Sequence, residues 1–196
     1  MKFIYLVLGI TCSIINYCYA QEKVTNAKWQ YKSLYSVGVL AGEAGFYIQP
    51  HTVHGLSKNN WLLDIGASYD GYVFNALPVF FHARKYSAAK TKWQPFGYAE
   101  VGAVIPLANE TLPKTYFNGM KAYEQKTGFI GELGFGISKP FKQNKRLDFS
   151  FGYSHKLYRY DRFAPPFWIW PPQLSEYPTQ SEHNFRRWCL KTSISF

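Results

Sequence analysis

The chain has 196 residues, a formal charge of +10 and an aromatic fraction of 19%. That length suits one ordinary domain or one closed barrel. Beyond residue 20 no stretch of eighteen consecutive apolar residues occurs, which excludes a second spanning helix, and the basic residues form no helical stripe suited to nucleic acid.

The first twenty residues differ from the rest. Lys2 gives a positive start, Phe3 to Ile15 is an apolar run, and Cys18-Tyr19-Ala20 ends on a small residue before Gln21. This pattern reads as a cleaved secretory signal over residues 1–20, outer-membrane export being the expected route. Cleavage removes Lys2, Cys12 and Cys18, lowers the charge from +10 to +9 and leaves Cys189 alone, so no intramolecular disulfide can form. Residues 21–32 are polar and read as a periplasmic lead-in to a barrel over residues 33–196.

Eight strands follow. The first, Leu34 to Ala41, sets Tyr35, Val37, Val39 and Ala41 against Ser36, Gly38 and Gly42, a period of two that sends alternate side chains to opposite faces. The second, Phe46 to Leu56, is interrupted by Pro50, which in a run of this kind marks an edge or a bulge. In the third, Trp61 to Tyr69, the residues Trp61, Leu63, Ile65, Ala67 and Tyr69 oppose Asp64, Gly66, Ser68 and Asp70, and Asp70-Gly71 opens a turn. The fourth, Leu77 to Tyr86, sets Leu77, Val79, Phe81 and Ala83 against Pro78, Phe80, His82 and Arg84. The fifth, Pro95 to Ile105, sets Ala99, Val101, Ala103 and Ile105 against Phe96, Tyr98, Glu100 and Gly102. The sixth, Thr127 to Ser138, opposes Phe129, Leu133, Phe135 and Ile137 to Glu132, Gly134, Gly136 and Ser138. The seventh, Leu147 to Arg159, carries Asp148, Ser150, Gly152, Ser154 and Lys156 on its polar side. The eighth, Asn184 to Phe196, alternates Trp188, Leu190, Thr192, Ile194 and Phe196 with Arg187, Cys189, Lys191, Ser193 and Ser195.

An even number of strands, each near the roughly 9–11 residues that a tilted membrane strand needs, predicts an all-β, eight-stranded antiparallel up-and-down transmembrane barrel. The longest connections, roughly 106–126 and 160–183, fall at the end opposite the termini, as expected for outer loops. Residue size assigns the faces. The polar side is rich in Gly and Ser with charges of both signs, which suits a lumen just wide enough to be filled by side chains. Asp64, Glu100, Glu132 and Asp148 are expected to pair there with Arg84, Lys156, Arg187 and Lys191, as buried charges must. The apolar side then meets lipid.

The runs Leu77-Pro78-Val79-Phe80-Phe81-His82-Ala83-Arg84 and Pro95-Phe96-Gly97-Tyr98-Ala99-Glu100-Val101-Gly102, with Ile194-Ser195-Phe196 at the end, resemble the small single-domain eight-stranded outer-membrane barrel proteins of Gram-negative bacteria. The resemblance covers most of residues 33–196. It implies that Phe196 is part of the signal read by the barrel-assembly machinery. Lipid and lipopolysaccharide of the outer membrane are the other expected partners.

Constellations with chemical potential are few. His51 and His54 form H-x-x-H, which on a strand points to opposite faces and cannot converge on a metal without a bulge. Ser154 and His155 are adjacent and diverge for the same reason, which weakens a lipid-modifying hydrolase, and outward His155 has Tyr153 and Leu157 beside it on its own face. Asn109-Glu110-Thr111 matches a glycosylation acceptor that in a bacterial loop reads as chance. Phe163, and Phe167, Trp168, Ile169 and Trp170 between two Pro pairs, make the loop 160–183 an apolar segment, either a plug over the barrel mouth or a patch for a surface partner. The expected function is therefore non-enzymatic, structural or surface-interacting, with no cofactor and no nucleic acid. A lipid-modifying hydrolase and a secreted soluble barrel for a small apolar ligand are the alternatives.

Overall fold

The computed structural model describes residues 28–72, 75–88, 92–107, 116–117, 120–121, 123–142, 145–162 and 179–196. Eight long strands form a closed antiparallel barrel: β1 (Gln30–Gly42), β2 (Gly45–Lys58), β3 (Trp61–Ser68), β4 (Ala76–Tyr86), β5 (Gln94–Pro106), β6 (Tyr123–Lys142), β7 (Lys145–Arg162) and β8 (Thr179–Ser195). Each pairs with its chain neighbours, and β8 closes on β1 from Leu34↔Ser195 to Gly42↔Arg187. Ser33 and Phe196 extend that seam with two backbone hydrogen bonds, the Phe196 N–H to Ser33 at 2.9 Å and the Ser33 N–H to Phe196 at 3.4 Å. Closure leaves no strand edge within the paired region, which is what a sheet needs in lipid. We call the end where β1 begins and β8 finishes the near rim, and the other the far rim. A two-residue ladder, Tyr116–Phe117 with Met120–Lys121, lies in the connection between β5 and β6.

The alternation holds through the middle of every strand. β1 runs Leu34 buried, Tyr35 exposed, Ser36 buried, Val37 exposed, and so on to Leu40. β8 buries Arg187, Cys189, Lys191, Ser193 and Ser195 and exposes the residues between them. Tight turns at the near rim use local chemistry: Asn59 takes φ = 55°, a left-handed conformation that Asn tolerates better than most residues. At the far rim Gly45, with φ = 100°, turns the chain from β1 into β2.

Several boundaries differ from those read in the sequence. β1 begins at Gln30, so residues 30–32 belong to the barrel and not to the lead-in. Pro50 makes no bulge, because β1 and β2 pair one for one from Gln30↔Ser57 to Gly42↔Gly45, but it does stand at a local edge, where β2 loses its β3 partner. Its carbonyl accepts the Tyr69 N–H at 3.1 Å and so points toward β3, away from β1. The missing proline N–H therefore lies on the side where the β2–β3 ladder, which ends at His51↔Ser68, has already stopped. The strands β6, β7 and β8 reach further than expected, to Tyr123, Arg162 and Thr179, so Tyr160–Arg162 and Thr179–His183 are strand rather than loop. There both faces are polar, so alternation gives no signal. The ladder is held by Arg159 on Glu182 at 2.8 Å, Lys126 on Asp161 at 2.6 Å, and Tyr160 stacked on His183. Between Lys126 and Phe129 the register of β6 slips by one residue against β7. Gly128 permits this, since a Cβ there would lie 2.1 Å from the Leu157 carbonyl oxygen.

Candidate functional site: a charged lumen inside an apolar belt

The inner face is a stack of charged layers separated by rings. Near the near rim, Arg84 Nη1 meets Asp148 Oδ2 at 2.5 Å, and the guanidinium lies 4.2 Å from the Phe96 ring centroid. Arg146 lies over Tyr86 at 4.7 Å and donates to Gln94 and to Ser138. Leu62, Tyr86, Phe96 and Tyr98 pack together around this layer. Glycines make room for the rings: a Cβ on Gly134 would stand 2.5 Å from the Tyr98 ring, and one on Gly136 would stand 2.5 Å from that of Phe96.

The central layer is built on Lys191. Its Nζ lies 2.7 Å from Glu132 Oε1 and 3.2 Å from each oxygen of Glu100. Tyr98 donates its hydroxyl to Glu132 at 2.7 Å, and His51 Nε2 lies 3.2 Å from Glu100. His82 Nδ1 lies 3.0 Å from Asp64 Oδ2 in the same layer. Toward the far rim, Asp70 Oδ2 accepts Arg187 at 2.6 Å and Lys156 at 3.1 Å, while its other oxygen accepts the Tyr72 N–H at 2.9 Å. Arg187 also donates to Ser154 at 3.1 Å. Lys156, Arg187 and Asp70 have essentially no exposed side chain, so this triad is desolvated and depends on its internal pairing.

All eight residues read as the charge network, Asp64, Arg84, Glu100, Glu132, Asp148, Lys156, Arg187 and Lys191, are therefore buried in the lumen, and each meets an opposite charge or a histidine. The partner sets carry three further residues: Asp70, His51 and His82. Asp70 had a signal, since the alternation of the third strand puts it on the inner side, but Asp70-Gly71 reads as a turn and hides its role. His51 and His54 do point apart, one buried and the other exposed. Phe163, Phe167, Trp168, Ile169 and Trp170, like the signal region 1–20, lie outside the described residues.

The outer face is the inverse. Val37, Ile48, Leu63, Ile65, Phe81, Val101, Leu133, Phe135 and Leu190 are exposed, Leu133 at 68% and Leu190 at 61%. Aromatic side chains stand at both ends of this band: Trp29, Trp61, Trp93 and Phe196 at the near rim, Phe46, Tyr69 and Trp188 toward the far rim. An apolar band bounded by aromatic girdles, around a polar interior, is the pattern of a sheet solvated by lipid.

No family model matches the chain, and no curated protein matches it. Solved structures do. The crystal structure of Neisserial surface protein A superimposes with a TM-score of 0.51 at 11% identity, covering 87% of this chain and 98% of that one. The outer membrane protein AlkL, determined in DMPC lipid bilayers, gives 0.50 at 9% identity over 90% and 93% of the two chains. This is the fold of the small eight-stranded outer-membrane barrels. The crystal structure of the outer membrane protein OprG from Pseudomonas aeruginosa gives 0.46 at 11% identity, over 86% and 95%.

Two arrangements in this barrel bear on catalysis. Directly across the ladder from His155 stand Gly131 and Arg186, and the next residues on that face are Phe129, Leu133, Asn184 and Trp188. No serine is among them, and Ser154 faces inward onto Arg187. Inside, Ser36 Oγ lies 2.9 Å from His51 Nδ1, and His51 reaches Glu100, which is the order serine, histidine, carboxylate. Lys191 occupies both Glu100 oxygens, Phe80 stacks on the imidazole at 4.9 Å, and Ser36 is buried. An acyl substrate would have to displace this packing to reach Oγ, and Ser36, His51, Glu100 and Lys191 form a continuous buried hydrogen-bond chain.

Proposed function

We propose that the protein is a non-enzymatic outer-membrane barrel, structural or surface-interacting, whose lumen is filled by its own side chains. The carrying observation is the inversion of polarity, with Lys156, Arg187 and Lys191 buried while Leu133 and Leu190 are exposed. Water would penalise the outer band, and a soluble ligand-binding barrel would place its large apolar residues inside. Lipid reverses both terms.

The mature chain begins at Gln21 and partitions into the outer membrane, where lipid and lipopolysaccharide surround it. Phe196, on the seam with β1, is the residue the assembly machinery reads, and the outer segment 160–183 is where a surface partner would bind. Support for an inert lumen comes from its pairing, since opening a pore would break several buried ion pairs, each costing several kcal/mol if one partner is left alone (about 3–5). Fractionation of the tagged chain tests the reading, together with a heat-modifiability gel and planar-bilayer recording. Outer-membrane recovery, a heat-shifted band and no stable porin-like conductance are expected. Recovery as a soluble periplasmic monomer would refute it.

A further inference from the structure

We propose that the near rim is a collar that binds the headgroups of anionic phospholipid. This deepens the membrane-barrel reading and rests on it. In each of the hairpins β1–β2, β3–β4, β5–β6 and β7–β8, the outward position at the near end sets one lysine against one aromatic ring. Lys58 Nζ lies 5.6 Å from the Trp29 ring centroid, Lys85 4.6 Å from Trp61, Lys139 5.1 Å from Trp93, and Lys145 4.7 Å from Phe196. Trp61 and Lys85 face each other directly in the ladder. The other pairs sit one step beyond Gln30↔Ser57, Gln94↔Ser138 and Ser195↔Arg146. The register thus repeats one device around the circumference, once per hairpin.

Its charge environment is one-sided. Lys28 and Lys92 are exposed at the same rim. Among the described residues no exposed Asp or Glu side chain stands there: Asp64 and Asp148 point into the lumen, while exposed Glu43 and Glu182 lie at the far rim. Each ring marks the depth of the membrane interface, where indole and phenyl groups settle. Each ring also holds a lysine stem along apolar surface and its ammonium at headgroup depth. An ammonium over a ring keeps N–H donors for a phosphate oxygen on its open side. A zwitterionic headgroup brings its own cation to this crowded positive rim, whereas a headgroup with net negative charge does not. The chemistry therefore selects anionic phosphodiester lipid.

The test uses the full mature chain refolded into phosphatidylcholine vesicles with a trace of spin-labelled phosphatidylglycerol or spin-labelled phosphatidylcholine. The protein-restricted fraction of each label is read by electron spin resonance. A preference for phosphatidylglycerol of up to about fivefold is expected, the equivalent of the roughly 1 kcal/mol that a basic side chain gains at an anionic surface. It should fall toward equality in about 1 M salt, where the screening length is about 3 Å. Lys58→Gln, Lys85→Gln, Lys139→Gln and Lys145→Gln combined should abolish it, while Arg159→Gln with Arg186→Gln at the far rim should retain it. Equal restriction of both labels by the inserted wild type overturns the collar and leaves the membrane reading intact, as does a preference that survives the fourfold change. Should the fourfold variant fail to insert, the salt series on the wild type decides. A wild type that shows no heat-shifted band and restricts neither label overturns the membrane reading, and the collar with it.

Discussion

Lys191→Met removes one charge from the centre of the lumen while keeping nearly the same volume. Lys191 Nζ holds three carboxylate oxygens, at 2.7, 3.2 and 3.2 Å, and its side chain is 4% exposed. Without it, Glu132 retains the Tyr98 hydroxyl and Glu100 retains His51, but two acidic groups then face each other with no cation between them. Losing one partner of a buried ion pair costs about 3–5 kcal/mol, and the expected loss lies in that range. Glu132→Gln in the same background removes one of the two acids and leaves an oxygen to accept the Tyr98 hydroxyl. The double variant should therefore recover about 1–3 kcal/mol relative to Lys191→Met, the usual coupling of residues in one network. Urea unfolding from vesicles, followed by tryptophan fluorescence and by the heat-shifted band, measures both quantities. A Lys191→Met barrel within about 1 kcal/mol of wild type, or a double variant no more stable than the single one, would refute the reasoning.

Neighbouring Leu190 faces outward between Val39 and Phe151, so Leu190→Arg should cost roughly 2–4 kcal/mol if this level lies near the bilayer midplane, measured by the same unfolding series. Lys191→Leu should leave the outer surface unchanged, as read by the spectrum of a lipid-exposed fluorophore at position 190. Gly102→Ala should lower refolding yield, because its Cβ would stand 2.1 Å from the Val79 carbonyl oxygen and 2.5 Å from the Phe80 Cα, both backbone atoms, whereas Gly97→Ala, with nothing nearer than 3.9 Å, should refold normally on the same gel. Phe196→Ala keeps the two backbone bonds to Ser33 but loses the ring against Tyr35 and Lys145; it should reduce outer-membrane yield in cells more than refolding in detergent, and equal effects in the two assays would show that the ring acts only in the seam.

The barrel was legible because lipid and a narrow lumen both enforce period two. A residue such as Ile65 has no alternative to the outer face while Asp64 and Gly66 are needed inside, and the pattern survives every turn. The parts that were not legible are those where this double constraint lapses. At the far ends of β7 and β8 the paired Arg159 and Glu182 are both exposed, and polar residues there no longer report which way they point. The slip in β6 needs only Gly128, and one glycine in a chain rich in them carries no mark of a bulge. Pro50 looked disruptive because a strand is assumed to pair on both sides along its whole length, and β2 does not.

The lumen was legible by face and not by partner. Alternation says that Arg187 points inward, but nothing local says that it will meet Asp70, 117 residues away, or that Arg84 will meet Asp148 across 64. Those pairs arise from the stagger that closing the sheet imposes, which sets distant residues at one height. The same stagger explains why Asp70 matters. Near the far rim Lys156 and Arg187 are two cations with no carboxylate of their own among the eight residues first assigned, while Glu100 and Glu132 share the single cation Lys191 below them. Asp70, carried inward by the chain after β3 and bridged to Ala76, divides the upper pair and makes it a bound triad. It also adds a fifth carboxylate to the eight residues first assigned, and Arg146, turned inward over Tyr86 near the opposite rim, adds a fifth permanent cation. A lumen that pairs its charges internally offers little to a ligand, and the lysines of the proposed lipid collar stand apart from it on the outer face.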